Sequence, residues 1–239
     1  MSPDDTNKAR KRGRRNALTL MTVVGVALAV RGLSARAQNR PQCVVRPEQT
    51  EGPYFVDTQL ARSAIRSDPA TRQVEPGVPL ELTFRVSRLD GACEPLPDAH
   101  VEVWQCNARG LYSGVKDAHS DTTGRKFLRG YQVTDANGIA RFSTIYPGWY
   151  PGRTVHIHFM IRTAGSRGSG EQFTSQLYFD DALSDRIFAR PPYDDRGPRT
   201  VRNAGDGIFR RGGRQLMLAA TEQDGGLAAT FDIALEASR

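Results

Sequence analysis

The stretch Tyr146–Ile161 reads Tyr-Pro-Gly-Trp-Tyr-Pro-Gly-Arg-Thr-Val-His-Ile-His-Phe-Met-Ile, and its second half alternates as a β-strand does. The alternation divides the side chains between two faces, with Val155, Ile157, Phe159 and Ile161 on one and His156, His158 and Met160 on the other. Because His156 and His158 share a face, both imidazoles point the same way and can bind a single metal ion. The stretch therefore predicts a metal site carried by a strand.

An alternative interpretation of this His-x-His pattern is a pair of histidines that only hydrogen-bond to their neighbours. The whole chain has only four histidines, which are His100, His119, His156 and His158. Two of the four on one apolar strand exceed what composition would supply, and an unpaired imidazole that faces a core is costly. Both points favour the metal site.

The composition is typical of short strands joined by turns. The 14 prolines and 23 glycines are spread along a chain of 239 residues, which is long enough for one large all-β domain. We expect residues 38–239 to form that domain as a two-layer β-sandwich, with long loops beside the strand-borne metal site.

The net charge of +7 is concentrated at the N-terminus. Residues 1–37 hold eight basic and two acidic side chains, a net of +6, and the remaining 202 residues hold 25 basic and 24 acidic ones, a net of +1. The domain therefore lacks the positive excess of a nucleic-acid-binding protein, and no such partner is expected. A basic start, an apolar run over Ala17–Val30 and the small-x-small motif Ala35-Arg36-Ala37 predict an export signal over residues 1–37.

The details of this segment bear on location and on disulfides. Arg14-Arg15 resembles a twin-arginine signal, with general secretion as the alternative route, and a 14-residue apolar run is too short for a stable membrane anchor. A periplasmic or extracellular destination permits disulfides. Among the three cysteines we expect Cys43 to pair with Cys93, since Cys106 lies in a strand core, and three unpaired thiols are the alternative.

Hydrophobic periodicity predicts the remaining elements. Residues 38–75 read as an extended arm without a periodic pattern, and residues 180–190 as a short helical stretch. The predicted strands cover 80–86, 100–106 and 173–179, with one hairpin formed by 130–134 and 139–145 and a second formed by 215–221 and 227–235.

The residues around the two histidines narrow the choice of metal. A third histidine would suggest zinc and a carboxylate would suggest ferrous iron, but Tyr146–Ile161 contains no acidic residue. A phenol, with a reference pKa of about 10, becomes a good ligand only when a strongly acidic ion holds it as phenolate, as ferric iron does. Two phenolates and one hydroxide would neutralise Fe(III), and two imidazoles would complete five ligands.

Five tyrosines are candidates for the phenolates: Tyr112, Tyr131, Tyr146, Tyr150 and Tyr178. Tyr150 is favoured because it lies at a Pro/Gly corner six residues before His156, and Tyr112 because it lies between two glycines at the end of a strand. For each tyrosine the alternative is a buried aromatic ring whose hydroxyl is hydrogen-bonded.

Four motifs of the chain resemble those of the intradiol ring-cleavage dioxygenases, most closely the members similar to protocatechuate 3,4-dioxygenase. They are Thr50-Glu51-Gly52-Pro53-Tyr54, Val103–Ala108 with Gly110–Gly114, Pro147–Phe159 and Ser175–Phe179. The order Tyr…Tyr-x5-His-x-His is a specific signal, and the resemblance covers most of the mature chain.

The resemblance implies a function and a set of site residues. Tyr112, Tyr150, His156 and His158 match the four ligands of a non-haem Fe(III), with Tyr150 matching the ligand that leaves when substrate binds. By the same resemblance, Arg153 lies beside the substrate ring and Gln176 lines the pocket. The implied reaction inserts both atoms of O2 between the two hydroxylated carbons of a catechol-type diol and yields a muconate-type diacid.

Two competing functions and several details stay open at this point. The histidine pair could serve a copper or zinc enzyme, or the chain could be a non-catalytic exported binding module with the same fold. Protocatechuate enzymes build their site from two chains, so a homo-oligomer is an alternative to a self-sufficient chain. His119, in a polar loop, is a further candidate for substrate contact.

Overall fold

Alternating apolar and polar residues form eight strands and one α-helix within the residues that the computed structural model describes, which are 43–89, 92–117, 120–163 and 170–236. The elements are β1 Pro79–Arg88, β2 His100–Trp104, β3 Arg129–Val133, β4 Ile139–Ile145, β5 His156–Arg162, β6 Gln172–Tyr178, α1 Asp181–Phe188, β7 Thr221–Gln223 and β8 Gly226–Leu235. The predicted export signal and His119 lie outside the described residues.

The strands form two four-stranded sheets with the orders β4-β1-β8-β7 and β3-β2-β5-β6. Strands β1 and β8 pair in parallel, and the other neighbours are antiparallel. The two sheets pack on each other through aromatic rings, with Phe159 of β5 lying 5.3 Å from Phe84 of β1 and 5.4 Å from Phe231 of β8, measured between ring centroids. The predicted all-β, two-layer sandwich is therefore confirmed.

Burial follows the alternation that the sequence shows. In β1, Leu80, Leu82, Phe84 and Val86 are buried in the core between the sheets. In β5, Ile157, Phe159 and Ile161 face the same core, so His156 and His158 project from the outer face of their sheet. Burying a large apolar side chain contributes roughly 1.5–3 kcal/mol, which fixes the register and therefore the face on which the imidazoles lie.

The hairpin predicted for 130–134 and 139–145 is wrong, although both strands exist. β3 pairs with β2 in one sheet, whereas β4 pairs with β1 in the other. The turn Asp135–Gly138 passes between the sheets, and Gly138 has a φ of +70° and packs so closely that a Cβ would lie 2.2 Å from the carbonyl oxygen of Val86. The local turn signal was correct, but long-range pairing with β1 decided the partner.

The predicted C-terminal hairpin is partly wrong. β7 and β8 do pair in an antiparallel fashion, but β7 covers only Thr221–Gln223. The residues predicted to begin this strand instead form a 3₁₀ turn over Gly213–Leu216 and then run beside β6, where the amide of Leu218 donates to the carbonyl of Tyr178. The helical stretch is confirmed as α1, whose first turn is capped by the side chain of Asp180.

The extended arm predicted for residues 38–75 is present over the described residues 43–78, which form no regular strand or helix. The arm contacts both sheets, since the amide of Gln49 donates to the carbonyl of Thr174 and the amide of Ile65 to that of Ser143. The predicted disulfide Cys43–Cys93 is present and ties the start of the arm to the β1–β2 connection, while Cys106 is a buried free thiol. The helix and 3₁₀ turns in the described ranges are too short and too polar to cross a membrane.

Candidate metal centre

The two imidazoles of β5 meet on the outer face of their sheet. The Nε2 atoms of His156 and His158 are 3.0 Å apart, and both side chains are buried. The ring of His158 stacks on Trp104 of the neighbouring strand β2, with centroids 5.0 Å apart and an angle of 8° between the planes. The period-2 alternation that the sequence shows is therefore enough to bring these two nitrogens together.

A backbone contact fixes the tautomer of His156. Its Nδ1 lies 2.6 Å from the carbonyl oxygen of Thr154, and because a carbonyl only accepts hydrogen bonds, Nδ1 carries the proton. Burial, and then the charge of Arg153, lowers the pKa of His156 to about 3, and burial also lowers the pKa of His158 well below its usual value. Both rings are therefore neutral, and Nε2 of His156 presents a lone pair to the centre.

Two phenols reach the same nitrogen. The hydroxyl of Tyr150 lies 3.2 Å from Nε2 of His156, and the hydroxyl of Tyr112 lies 3.4 Å from it. Tyr112 is buried, whereas Tyr150 is partly exposed. Burial raises the pKa of both phenols, with a further upward contribution at Tyr112 from Tyr150 and an opposing one at Tyr150 from Arg153. Without a cation both phenols are therefore protonated.

The loop that carries Tyr112 is held by buried polar groups. The side-chain oxygen of Asn107 accepts hydrogen bonds from the amides of Arg109 and Leu111, which turns the chain after β2. The guanidinium of Arg129, on β3, donates through Nε and Nη2 to the carbonyl oxygen of Ser113. Tyr112 is thus fixed on both sides of its own position.

The arm covers this centre from outside the sheet. Gly52, with a φ of +72°, lies against His158 so closely that a Cβ would be 3.2 Å from Cε1 of the imidazole. The ring of Tyr54 stacks on Tyr112, with centroids 4.5 Å apart and an angle of 18°. The Thr50–Tyr54 motif had no assigned role when the sequence was considered alone; here it closes one side of the site.

Arg153 and Gln176 lie at the rim of the same centre. Arg153 donates through Nη2 to the side-chain oxygen of Gln176 at 2.6 Å, and its Nη1 is 3.4 Å from Nε2 of His156. Gln176 pairs with His158 across β5 and β6, and its side-chain amide donates to the carbonyl of Thr50. The six residues that the family resemblance assigns to the site therefore lie together, whereas His119 lies outside the described residues.

The solvent exposure of the six site residues shows from which side a ligand can approach the centre. Of the six residues, only Tyr150 and Arg153 are partly exposed. A cavity of about 550 Å³, lined by residues such as Glu75 and Arg125, has none of the six in its wall. A ligand that approaches the centre therefore meets Tyr150 and Arg153 first.

The donor set fits a trivalent cation. Nε2 of His158 and the hydroxyl oxygens of Tyr150 and Tyr112 lie 3.0, 3.2 and 3.4 Å from Nε2 of His156. Across the described ranges, no three His, Cys, Asp or Glu side chains are grouped so that they could hold a metal ion. The oxygen donors near the histidine pair are thus phenols, which bind best to a strongly acidic ion.

Comparisons with known proteins agree with this arrangement. A sequence model of the family described as Dioxygenase matches residues 50–194, more than half of the chain. The chain is also 33% identical over 189 residues to the protocatechuate 3,4-dioxygenase beta chain of Burkholderia cepacia, covering 75% of this chain and 72% of that protein. The chain belongs to the intradiol ring-cleavage dioxygenase family. The matched region contains all six site residues.

Two further relatives of this dioxygenase chain show how much of each protein the similarity covers. A solved structure of an intradiol ring-cleavage dioxygenase from Tetranychus urticae superimposes with a TM-score of 0.71 at 32% identity, covering 81% of this chain and 95% of that one. Catechol 1,2-dioxygenase of Acinetobacter baylyi is 31% identical over 147 residues, but the match spans only 43% of that protein. The predicted family and enzyme class, an oxidoreductase, are therefore confirmed, and intradiol dioxygenases generally use non-haem Fe(III).

Proposed function

We propose that this protein is a ferric-iron dioxygenase that opens the ring of a catechol-type diol between its two hydroxylated carbons. The observation that carries the proposal is the meeting of two imidazole nitrogens and two phenol oxygens around Nε2 of His156. The overall reaction balances without a reductant, since one diol and one O2 give one muconate-type diacid that contains both oxygen atoms.

The four residues Tyr112, Tyr150, His156 and His158 would hold the iron. As phenolates, the two tyrosines offset two of its three charges, and the two imidazoles add no charge. Bound ferric iron supplies the Lewis-acid and electron-accepting chemistry that makes a coordinated diol reactive towards O2. The protein supplies the positions of the donors and the surroundings of the substrate.

Tyr150 is the phenol best suited to receive a substrate proton. It is the partly exposed one of the two, and it follows a Pro/Gly corner, so it meets an incoming diol before Tyr112 does. Partial burial raises the pKa of the Tyr150 phenol when it is not bound to metal, so its Oη holds a proton well once it has accepted one from a substrate hydroxyl. Tyr112, buried and held by its loop, keeps its position.

Arg153 and Gln176 orient the substrate and stabilise its charge. The Arg153 guanidinium is cationic at any working pH, and it lies within 3.4 Å of the donor cluster. It would stabilise the negative charge that builds on the deprotonated diol and its ring. Gln176, bonded to both Arg153 and Thr50, joins this rim to the arm.

The experiment is oxygen uptake by the purified chain after loading with ferric iron, with a panel of catechols that differ in ring substituents. With ¹⁸O2, the product of at least one catechol should be a diacid carrying both labelled atoms. His158→Ala should abolish uptake. Tyr131→Phe should not, because Tyr131 lies on the same sheet face but stacks on His100. Uptake with none of the catechols by iron-loaded protein would instead favour a binding module.

We also propose that the protein is exported. The basic and apolar segment 1–37 has the build of an export signal, and the Cys43–Cys93 disulfide suits an oxidising compartment. Mass spectrometry of protein secreted by a bacterial host should give a mature chain that begins near Gln38. Retention of the uncleaved chain in the cytoplasm would contradict this proposal.

A further inference from the structure

Asp206 is a buried carboxylate that the reaction described above does not use. It lies directly after the 3₁₀ turn Asn203–Gly205, beyond residues 50–194 that match the family model. Its Oδ1 accepts hydrogen bonds from the amides of Ile208 and Phe209 at 2.7 and 2.9 Å. The carboxylate is therefore anchored to its own turn through Oδ1, and Oδ2 points away from that turn.

That second oxygen holds Arg153. Oδ2 of Asp206 accepts from Nε of Arg153 at 2.8 Å and from the amide of Thr154 at 2.8 Å, and the Asp206 side chain is fully buried. An ion pair in these surroundings has a defined geometry, because both partners lose water and neither side chain is free to rotate.

The three nitrogens of the guanidinium have different partners. Nε is bound by Asp206, Nη2 donates to Gln176 at 2.6 Å, and Nη1 is 3.4 Å from Nε2 of His156. A guanidinium is planar and rigid, so fixing Nε and Nη2 also fixes the direction of Nη1. With its two other nitrogens bound, Nη1 is the one aimed at the donor cluster.

We propose that Asp206 is a positioning residue that aims Nη1 of Arg153 at the substrate. The proposal rests on the proposed function, since it is there that Arg153 receives its role. Asp206 does not touch the reacting atoms and acts only through the guanidinium. Loss of its charge frees Nε and lets the guanidinium rotate away from the centre, which costs transition-state stabilisation rather than iron binding.

The test is a double-mutant cycle of Asp206→Asn and Arg153→Gln in the iron-loaded protein, read as kcat and KM for a catechol. Asp206→Asn alone should lower kcat/KM by roughly 10²-fold, as misplaced groups do, mainly through kcat. In the Arg153→Gln background the same change should cost less than about 2-fold, because the residue through which it acts is gone. Equal losses in the two backgrounds would overturn the proposal.

The chain offers a matched control in Asp68. Its carboxylate is also fully buried, paired to one arginine, Arg125, at 3.1 Å, and bonded to backbone amides, but it has no contact with the site residues. Asp68→Asn should lower stability while leaving kcat/KM of the folded enzyme within about 2-fold of wild type. A loss as large as that of Asp206→Asn would mean that any buried ion pair has this effect, and the proposal would fall.

A measurement without turnover separates this inference from the proposed function. In ¹⁵N NMR spectra of the metal-free protein, the Hε signal of Arg153, assigned by its absence in Arg153→Lys, should exchange with water at least about 10-fold more slowly than that of an exposed arginine. Asp206→Asn should remove this protection. Fast exchange in the wild-type protein would overturn the positioning role even if catechols are cleaved, and protection without oxygen uptake would leave the positioning intact and reject the dioxygenase proposal.

Discussion

At the scale of single residues, the centre is a cluster of polar groups that bury one another. Two phenols and two neutral imidazoles converge on one side of β5, and burial raises the pKa of both phenols. Such a cluster satisfies its own lone pairs poorly, because neutral imidazole and phenol groups can share only a few protons among them. A cation that accepts all four lone pairs resolves this shortage, which supports the proposal that these residues hold iron.

The tyrosines give the first prediction. Because phenolate bound to ferric iron absorbs visible light, the iron-loaded protein should be coloured, and Tyr112→Phe and Tyr150→Phe should each lose part of the band. One phenolate remains in each single variant, so neither should become colourless. Absorption spectra at equal iron content provide the measurement, with Tyr131→Phe as a matched phenol deletion outside the cluster. An unchanged band in Tyr112→Phe would contradict the assignment.

Asp68 gives a prediction about pH. Burial alone would raise the pKa of this carboxyl, but hydrogen bonds from the amides of Lys126 and Thr71 and from Arg125 lower it to about 2. A lowered pKa adds stability that is present above the unfolded value and is lost as pH falls through the folded one; here it corresponds to about 2 kcal/mol at neutral pH. The difference in unfolding free energy between wild type and Asp68→Asn should therefore shrink as pH falls from about 5 to about 2. A difference that stays constant in urea titrations over this range would contradict it.

At the scale of elements, alternation in the sequence predicted strands better than it predicted their partners. β1, β5 and β6 were found within two residues of their predicted bounds because their apolar faces repeat every second residue. The pairing of β3 and β4 was not predictable in this way. The turn at 135–138 is a good hairpin turn by composition, and only the match of β4 with β1 over seven residue pairs sends it to the other sheet.

The arm is the element whose stability depends most on the Cys43–Cys93 disulfide. Cys43 and Cys93 are separated by 50 residues, and closing a loop of that length stabilises the fold by about 4 kcal/mol in the chain-entropy description. Replacing both cysteines with alanine should lower the unfolding free energy by that amount in denaturant titrations. A reductant should have the same effect on the wild-type protein and on Cys106→Ala, and none on the double variant. Stability that does not respond to reductant would contradict this.

At the scale of the whole molecule, local sequence patterns predicted the histidine pair and the sandwich. The other site residues are brought to the centre by contacts between distant parts of the chain, which local patterns do not predict. Spacing left five tyrosines open, and three of them have other partners: Tyr146 bonds Ser184, Tyr178 bonds Gln49, and Tyr131 stacks on His100. The resemblance to the family selected Tyr112 and Tyr150. Asp206 had no local signal at all, since its contact with Arg153 joins residues 53 positions apart.

A single chain supplies all six site residues and the arm that covers them. We therefore expect the specific activity to be independent of protein concentration down to the nanomolar range. Assays over a dilution series, together with light scattering, measure this. A loss of activity that follows dissociation of an oligomer would mean that a second chain completes the site. The predicted homo-oligomer itself stays a prediction.

The central claim is that two phenol oxygens and two imidazole nitrogens hold one ferric ion. A crystal structure of the iron-loaded protein, with anomalous data at the iron edge, tests it most directly. We predict one iron peak per chain at bonding distance, about 2 Å, from Nε2 of His156 and His158 and from the hydroxyl oxygens of Tyr112 and Tyr150. A peak held by other side chains, or none at this position, would contradict the account.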